Sequence, residues 1–261
     1  MRTVLITGAT GGLGRALALR YWDAGHSLVL MDVNADALND LAGRFGDASR
    51  VHTIVCDLCD DDSIHAAAAQ LTAYTSMLDV LINNAGITHR SAASSTRPEV
   101  FARVMQVDWL GTVSLTQLLL PQLRHGGKVI CIGSMAGWMP VPGRAAYCAA
   151  KAALTQFFEV WRLELDQLGI GLLMVYPSFL DTAIERNALG ADGAQANHAR
   201  STLGSVRSAD WMAARILHSD RRQRMRLFPD RLSRLASLLW RVWPKLYLRQ
   251  VRRRFPEDIQ P

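Results

Sequence analysis

The chain has 261 residues, of which 49% are hydrophobic, and a formal net charge of +6 at neutral pH. This length is ordinary for one large α/β domain with a substantial core. Its longest apolar runs are too short to cross a bilayer, and Met1 and Arg2 lead directly into an apolar run. We therefore expect neither a transmembrane segment nor a signal peptide.

Short apolar runs alternate with helical patterns along the chain. The apolar runs predict strands over residues 2–7, 27–32, 51–56, 79–83, 128–133 and 170–176. The helical patterns lie between them, over residues 13–24, 34–45, 61–74, 98–123 and 146–168. This alternation predicts a single-domain, Rossmann-like α/β fold, a doubly wound parallel sheet with helices on both faces. The domain is predicted over residues 1–229, with a C-terminal extension over 230–261.

The first predicted strand leads into a glycine-rich turn and then into a helix. The turn consists of Gly8, Ala9, Thr10, Gly11, Gly12, Leu13 and Gly14. Glycines let the backbone approach a pyrophosphate closely, and a helix N-terminus offers free N–H groups and the positive end of the helix dipole. The pattern therefore predicts a dinucleotide-binding turn.

Asp32 ends the second predicted strand, eighteen residues after Gly14. A carboxylate at that place can accept hydrogen bonds from both ribose hydroxyls of the adenosine half, and it repels a 2′-phosphate. The sequence therefore favours NAD as cofactor. NADP is kept as the second candidate because Arg15 follows the last glycine of the turn.

A tyrosine and a lysine one helical turn apart form a second signal. Tyr147 and Lys151 lie on one face of a predicted helix, and only three of the 29 cationic residues are lysine. A phenol is a poor acid or base at neutral pH, and a nearby cation lowers its pKa toward the useful range. Ser134 follows the fifth predicted strand, so it can meet the helix start at the carboxyl edge of the sheet. Alone, the pair would more often be a surface tyrosine beside a solvated lysine.

These motifs, in this order, resemble those of the short-chain dehydrogenase/reductase family, to about residue 220. The family's Thr-Gly-x-x-x-Gly-x-Gly pattern stands at residues 7–14. The resemblance implies that Tyr147 is the catalytic acid and base, that Lys151 lowers its pKa and binds the nicotinamide ribose, and that Ser134 holds the substrate oxygen. It also implies cofactor contacts from residues that follow later strands, namely Asp57, Leu58, Asn84, Ala85, Gly86, Pro177 and Thr182.

Two positions depart from the family pattern. Asp108 stands where the family often has an asparagine that holds a water between the active-site lysine and solvent. An ionised carboxylate can accept from that water but cannot donate, and its charge would oppose a lowered pKa of Tyr147. We therefore count Asp108 with the catalytic set. Ser178 replaces a glycine near the nicotinamide, and it would be strained if the backbone there had positive φ.

The four cysteines stand at positions 56, 59, 131 and 148. The spacing of Cys56 and Cys59 is that of a metal or redox motif. A zinc site needs four ligands, however, and Cys131 and Cys148 belong to the other half of the fold. We expect no metal site, and free thiols in a reducing cytoplasm.

Residues 180–207 break the alternation of strands and helices after the sixth strand. The segment is rich in Ala, Gly, Asn and Ser, which predicts a loop that closes over the substrate, with a surface insertion as the alternative. Apolar residues that follow Ser134 are candidates for a substrate wall or for core: Met135, Trp138, Met139 and Val141. No carboxylate-binding arginine is obvious beside them, which favours a bulky, uncharged alcohol or ketone.

The C-terminal extension is basic and amphipathic. Residues 220–261 contain 12 Lys and Arg against 4 Asp and Glu, whereas residues 1–219 contain 17 against 19. Apolar residues recur three and four apart over 232–246, and Pro244 is expected to divide the helix. The cations opposite them are Arg234, Arg241 and Lys245. A helix pair packed over the pocket or a dimer seam is slightly favoured over peripheral membrane contact. A nucleic-acid partner is not expected, because the charge accompanies an apolar stripe.

Together these patterns predict an oxidoreductase that transfers a hydride between NAD(P)(H) and a bulky, mainly apolar alcohol or ketone. The alternative is a dinucleotide-binding sensor or scaffold that keeps the fold without turnover. The resemblance also implies a homodimer, or a homotetramer, formed through the long helices over residues 97–124 and 147–168. The expected location is cytoplasmic, with peripheral membrane contact as the second candidate.

Overall fold

A computed structural model describes residues 1–196 and 206–254, and its centre is a seven-stranded parallel sheet. Its strands are β1 (Thr3–Thr7), β2 (Ser27–Asp32), β3 (Val51–Val55), β4 (Leu78–Asn83), β5 (Leu123–Ile132), β6 (Gly171–Val175) and β9 (Arg226–Leu227). They lie in the order β3-β2-β1-β4-β5-β6-β9. A separate parallel pair joins β7 (Leu180–Asp181) to β8 (Arg207–Ser208). The expected doubly wound sheet is confirmed.

Helices cover both faces of the sheet. They are α1 (Gly12–Asp23), α2 (Ala35–Ala42), α3 (Asp61–Tyr74), α4 (Pro98–Met105), α5 (Gly111–Leu119), α6 (Ala145–Gln167), α7 (Ala209–Arg221), α8 (Arg231–Val242) and α9 (Pro244–Arg254). One buried cluster contains apolar residues of α1, α2 and α7, and the other contains those of α3, α5 and α6. Because both faces are covered, the central strands are mostly apolar, and every residue of β4 is buried.

The order of the strands reverses at β1, which lies between β2 and β4. The chain runs outward from β1 through β2 to β3, and it returns to the other side of β1 with β4. Ligands of such sheets bind beyond the carboxyl ends of the strands at this reversal. The loops after β1, β4, β5 and β6 therefore define where a site can form.

The long helix predicted over residues 98–123 is interrupted. Between α4 and α5 the segment Gln106–Leu110 is a π-helix, and the hydroxyl of Thr112 donates to the carbonyl of Val107 at 3.1 Å. Regular α-helix ends at Leu119, and β5 begins at Leu123, five residues before its predicted start. The pairing of β5 with β4 is irregular at this end. The apolar pattern of the sequence did not extend to this half of the strand.

The C-terminal helices α8 and α9 form a hairpin, divided before Pro244 as the sequence predicts. The hairpin packs on the loop after β5. The hydroxyl of Tyr247 donates to the carbonyl of Pro140 at 2.8 Å, and the guanidinium of Arg241 lies 4.9 Å from the ring centroid of Trp138. Within the part of the chain that the structure describes, no helix is both long and apolar enough to cross a membrane.

Candidate active site

The glycine-rich turn after β1 is packed tightly against the loop after β4. Gly8 has a φ of +61°, and a Cβ built on it would lie 2.7 Å from the Cα of Ala85, so only glycine fits there. The side chain of Asn84 donates to the carbonyls of Thr7 and Gly8 at 2.9 and 3.1 Å. The hydroxyl of Thr7 accepts from the backbone N–H groups of Asn84 and Ala85 at 3.0 Å. Asn84 therefore fixes the turn.

The N-terminus of α1 is open toward the cavity. Gly11 precedes α1, and no side chain caps the first turn of the helix. The cavity reaches this turn at Gly11, Gly12 and Leu13. Uncapped N–H groups at a helix N-terminus bind phosphate oxygens. The turn thus fits the pyrophosphate of a dinucleotide.

Asp32 is held in place at the end of β2. One of its carboxylate oxygens accepts from the backbone N–H and the hydroxyl of Thr10, at 2.9 and 2.7 Å. The Nε of Arg15 donates to the carbonyl of Thr10 at 2.7 Å, so its guanidinium is tied to the turn. On the neighbouring loop, Asp57 accepts from the N–H of Cys59 at 2.8 Å. Both carboxylates lie at the cavity edge where the adenosine half would bind.

The predicted catalytic side chains come together at the end of β5 and the start of α6. Ser134 follows β5, and its hydroxyl accepts from the N–H of Ala136 at 3.1 Å. Tyr147 and Lys151 lie one turn apart on α6, with the Lys151 ammonium 5.7 Å from the centroid of the tyrosine ring. Lys151 also donates to the carbonyl of Ile132 at 3.2 Å. The chain thus brings a hydroxyl, a phenol and an ammonium to one place.

Asp108 lies behind this group, in the π-helical segment. It is fully buried, and one carboxylate oxygen accepts from the N–H of Ile87 at 2.7 Å. The other lies 3.1 Å from the ammonium of Lys151, a direct ion pair. A Cβ built on Gly86 would lie 3.2 Å from the atoms of this pair, so the residue at this position must be small. Asp108 does not line the cavity, and it reaches the site through Lys151.

The charges of this group set the pKa of the phenol. Burial raises the pKa of Tyr147 above its ordinary value; Lys151 and a hydrogen bond with Ser134 oppose the rise, and Asp108 adds to it. Lys151 thus acts on the pKa of Tyr147 in the expected direction, but burial together with Asp108 outweighs it, and the net shift is upward. Burial acts to lower the pKa of Lys151, but Asp108 and Tyr147 outweigh it and raise that pKa. Lys151 thus stays an ammonium.

The segment after β6 crosses over the glycine-rich turn. The carbonyl of Pro177 accepts from the N–H of Met135 at 3.0 Å, and a Cβ on Gly12 would lie 2.9 Å from a methyl carbon of Thr182. Of the residues in 1–196 and 206–254, Gln223 is the only non-glycine with positive φ. Ser178 is therefore not in the left-handed conformation that would have strained it.

A cavity of about 860 Å³ connects these groups. The predicted site residues, except for Asp108, line it: Gly8, Thr10, Gly11, Gly12, Leu13, Gly14, Asp32, Asp57, Leu58, Asn84, Ala85, Gly86, Ser134, Tyr147, Lys151, Pro177 and Thr182. Of the four apolar candidates after Ser134, Met135, Met139 and Val141 line it too. Trp138 instead packs edge-on against Tyr176 and Phe228. It is partly buried and packs against the core.

The structure adds an ion pair at the substrate end. The guanidinium of Arg144 donates to both carboxylate oxygens of Glu185, at 2.7 and 2.5 Å, and Arg90 donates to Glu185 at 3.1 Å. Arg144 and Glu185 both line the cavity. They are 41 residues apart in the sequence, so no local pattern could have paired them. Glu185 is thus shared by two guanidiniums, which engage both of its carboxylate oxygens.

Residues 180–196 of the predicted closing loop lie at the edge of the cavity. The N–H of Leu189 donates to the carbonyl of Thr88 at 2.9 Å, and the N–H of Arg90 donates to the carbonyl of Leu189 at 2.7 Å. Residues of this segment line the cavity: Leu180, Thr182, Ala183, Ile184, Glu185 and Asn187. Positions 197–205 of the predicted loop lie outside the described residues.

The C-terminal hairpin supplies another wall of the cavity. Its lining residues are Leu232, Leu235, Ala236, Leu239, Tyr247, Gln250, Val251 and Arg254. Tyr247 and Val251 are buried against Met139 and the inner face of α8. Packing over the pocket, the favoured interpretation of the extension, is thus what the hairpin does in this structure.

The cysteines are free thiols. Burial raises the pKa of Cys56 to about 11 and that of Cys131 to about 12, so neither ionises readily. Cys59 is exposed. Within the described ranges, no three His, Cys, Asp or Glu side chains are placed to hold a metal ion.

The fold and the site define an α/β oxidoreductase with a dinucleotide cavity. The sequence pattern described as short chain dehydrogenase matches residues 2–192. The chain belongs to the short-chain dehydrogenase/reductase family. Members of this family use a nicotinamide dinucleotide, and the uncapped helix and carboxylates described above fit one.

Individual relatives agree with this assignment. The chain is 37% identical to Dehydrogenase/reductase SDR family member 7B of Bos taurus over 257 residues, which cover 94% of this chain and 79% of the relative. A short-chain dehydrogenase from Streptomyces avermitilis superimposes with a TM-score of 0.79 at 28% identity, covering 98% and 96% of the two chains. The RhlG/NADP active-site complex of Pseudomonas aeruginosa superimposes with a TM-score of 0.67 at 30% identity, covering 71% and 75%.

Proposed function

We propose that the protein is an alcohol dehydrogenase or carbonyl reductase for a bulky, mainly apolar alcohol or ketone, with NAD(H) as the preferred cofactor. One observation carries the proposal. Ser134, Tyr147 and Lys151 line the same cavity as the glycine-rich turn. Acid–base groups placed beside a hydride donor are what carbonyl reduction requires.

Each side chain has a role in this reaction. In reduction, the hydroxyl of Tyr147 gives its proton to the carbonyl oxygen, and in oxidation the phenolate takes the proton of the alcohol. Ser134 donates a hydrogen bond to the same oxygen and stabilises the charge that develops there. Lys151 keeps a positive charge near the phenol and contributes to binding of the nicotinamide ribose. The bound cofactor supplies or accepts the hydride.

The preference for NAD(H) is supported by Asp32. Its carboxylate is fixed by Thr10 at the edge of the cavity, where it would accept hydrogen bonds from the ribose hydroxyls and repel a 2′-phosphate. Arg15 is tied to the carbonyl of Thr10. NADP(H) is the second candidate, and the RhlG structure from Pseudomonas aeruginosa was determined with that cofactor.

The substrate class is supported by the walls of the cavity. Met135, Met139 and Val141 form one apolar side, and Leu235 and Leu239 of the hairpin form another. Arg144, which lies three residues before Tyr147, is engaged by both carboxylate oxygens of Glu185. An uncharged ketone or alcohol with a large apolar body suits this space better than a carboxylate.

A homodimer, or a homotetramer built from such dimers, is proposed through α6. Val160 and Leu163 on the outer face of α6 are 56% and 69% exposed. Such apolar residues on a long helix form a surface on which a second copy could pack. A reducing cytoplasmic location, with peripheral membrane contact through the hairpin, is proposed from the free cysteines and the basic extension.

A single-turnover measurement tests this function against the alternative of a sensor or scaffold without turnover. Protein in excess is mixed with NADH or NADPH and a panel of apolar ketones, and oxidation of the nicotinamide is followed. Hydride transfer at a rate that depends on the ketone supports the proposal. Tight cofactor binding with no transfer to any ketone, nor from any alcohol to the oxidised cofactor, would establish the sensor.

A further inference from the structure

The outward face of the C-terminal hairpin carries large apolar side chains. On α8 and the turn after it, Leu235, Leu238 and Trp243 are 62%, 57% and 63% exposed. We call this set, together with Leu232, Val242 and Leu246, the apolar patch; these three are exposed as well. Contiguous exposed apolar residues are typical of a site that binds another apolar surface.

Cations surround the apolar patch, and no acid within the hairpin balances them. Residues 231–254 contain no Asp or Glu, and they contain Arg231, Arg234, Arg241, Lys245, Arg249, Arg252, Arg253 and Arg254. Four of these cations lie around a shallow groove on α9 with Leu248: Lys245, Arg249, Arg252 and Arg253. An apolar strip flanked by cations, with a tryptophan at its edge, has the composition of a helix that lies in the surface of an anionic bilayer.

The apolar patch and the substrate cavity share residues. Leu232 and Leu235 belong to the patch, and they also line the cavity together with Leu239. Because residues that are both exposed and cavity-lining stand at the mouth of a cavity, the cavity opens at the edge of the patch. A surface that binds the apolar patch would therefore also lie against the mouth of the cavity.

We propose that the apolar patch docks on an anionic lipid bilayer, and that the cavity then opens onto the lipid, so that the apolar ketone or alcohol enters from the membrane. The identity of the substrate rests on the proposed function, whereas the docking does not. A second copy of the chain is a poorer occupant of the patch. A symmetric contact through it would bring two sets of eight like charges together.

Flotation of the full chain with vesicles tests the docking without reference to turnover. We expect binding to vesicles rich in phosphatidylserine at low salt, weaker binding at high salt, and little binding to vesicles of phosphatidylcholine alone. If the protein floats with neither kind of vesicle, the proposal is overturned, and the hairpin is only a wall of the pocket.

Two double variants separate the apolar from the charged contribution. Leu238→Ser with Trp243→Ser removes apolar anchors that do not line the cavity, and binding should weaken roughly tenfold or more. Lys245→Glu with Arg249→Glu reverses two cations, and binding should weaken at least roughly thirtyfold. An apolar variant that binds like the wild type would overturn the proposal, because surface charge alone would then explain the attraction.

Matched controls lie outside the hairpin. Met77→Ser removes an exposed apolar side chain before β4, and Arg44→Glu reverses an exposed cation after α2. Both should bind vesicles like the wild type. Thermal unfolding checks that each variant folds, and the charge-reversal pair carries the test if the apolar pair does not fold. Sedimentation equilibrium then measures the oligomeric state of each variant. If the apolar variant forms a smaller oligomer than the wild type, the patch binds a second copy of the chain, and docking on lipid is overturned.

Two ketones test the route of entry. The apolar variant should raise the apparent KM for a long-chain ketone dissolved in anionic vesicles, and should leave kcat and KM for a short water-soluble ketone unchanged. An unchanged KM for the long-chain ketone would overturn entry from the lipid. Failure of the wild type to reduce either ketone with either cofactor would count against the proposed function, and the flotation result would still decide the docking.

Discussion

Asp108 and Lys151 form a buried ion pair behind Tyr147, with 3.1 Å between the carboxylate oxygen and the ammonium. The family resemblance led us to expect a polar residue that reaches the lysine through a water. The π-helical segment at Gln106–Leu110 instead brings the carboxylate into direct contact. A carboxylate within this distance of the lysine reduces what the cation can do for the pKa of Tyr147.

Substitution of the carboxylate is therefore expected to move the pH profile. Asp108 raises the pKa of Tyr147, so Asp108→Asn should lower it, and alcohol oxidation, which needs the phenolate, should begin at a pH lower by about one unit. The profile of kcat for oxidation against pH measures this. Asp210→Asn, a change of the same kind on the exposed start of α7, should leave the profile in place. Coincident profiles for wild type and Asp108→Asn would contradict the prediction.

Removal of the phenolic hydroxyl should stop turnover without loss of cofactor. Tyr147→Phe is expected to lower kcat by at least about 10²-fold, because the phenol is the proposed proton donor. Binding of NADH, measured by fluorescence titration, should be almost unchanged, since we propose that Asp32 and the glycine-rich turn carry most of the cofactor affinity. Tyr74→Phe, on the exposed side of α3, is the matched control. Substantial activity in the Tyr147 variant would exclude the phenol as the acid.

Cofactor choice should depend on one carboxylate. We expect a higher kcat/KM with NAD(H) than with NADP(H) for the wild type, and Asp32→Ala should reduce that ratio by roughly tenfold or more, because charge-assisted hydrogen bonds to the ribose are lost. Asp36→Ala, an exposed acid in the first turn of α2, should change the ratio little. A wild-type preference for NADP(H) would refute the prediction.

Stability should depend on a buried ion cluster far from the cavity. Asp220 on α7 is fully buried. Its carboxylate forms ion pairs with the guanidinium of Arg2 at 2.7 Å and the ammonium of Lys128 at 3.2 Å, and it accepts a hydrogen bond from the hydroxyl of Tyr21 at 3.1 Å. Asp220→Asn leaves Lys128 with no carboxylate partner there, so the free energy of unfolding should fall by about 3–5 kcal/mol. Urea denaturation at neutral pH measures the difference.

The same substitution has a predicted pH dependence. Burial acts to raise the pKa of Asp220, but Arg2 and Lys128 outweigh it, so the folded-state pKa is lowered. A carboxylate with a lowered pKa stabilises the fold above its unfolded-state pKa and loses that effect as the pH falls through the folded-state value. The gap between wild type and Asp220→Asn should therefore shrink below about pH 4.

The exposed ion pair of Arg20 with Asp210 is the control for this comparison. Its atoms are as close, 2.6 Å apart, yet both side chains are exposed to water. Asp210→Asn should therefore change the free energy of unfolding by no more than about 1 kcal/mol. Equal losses in the two variants would show that burial is not what makes the Asp220 cluster matter.

The sequence predicted the strands that build the site, because buried parallel strands are continuous apolar runs. It did not predict β9, since Arg226–Leu227 is too short to form a pattern. It also missed the first half of β5, where Gly126 and Gly127 resemble a turn. These misses lie away from the glycine-rich turn and from Ser134, so the placement of the site did not depend on them.

Three further features of the site could not be predicted from the sequence: the π-helical segment, the Arg144–Glu185 ion pair and the packing of Trp138. The π-helical segment uses the same residue types as an α-helix, so no signal for it is visible around Asp108. Arg144 and Glu185 meet only because α6 and the loop after β6 converge. Trp138 was a candidate for the cavity wall, but it packs against Phe228, which lies 90 residues later in the chain, and so faces the core.

The hairpin that walls the cavity is synthesised after every other residue that lines it. Because chains fold from the N-terminus as they emerge from the ribosome, the strands that carry the dinucleotide turn are available well before α8 and α9. The dinucleotide turn therefore forms while the opposite side of the cavity is still open. That side closes last, when the hairpin folds against Pro140.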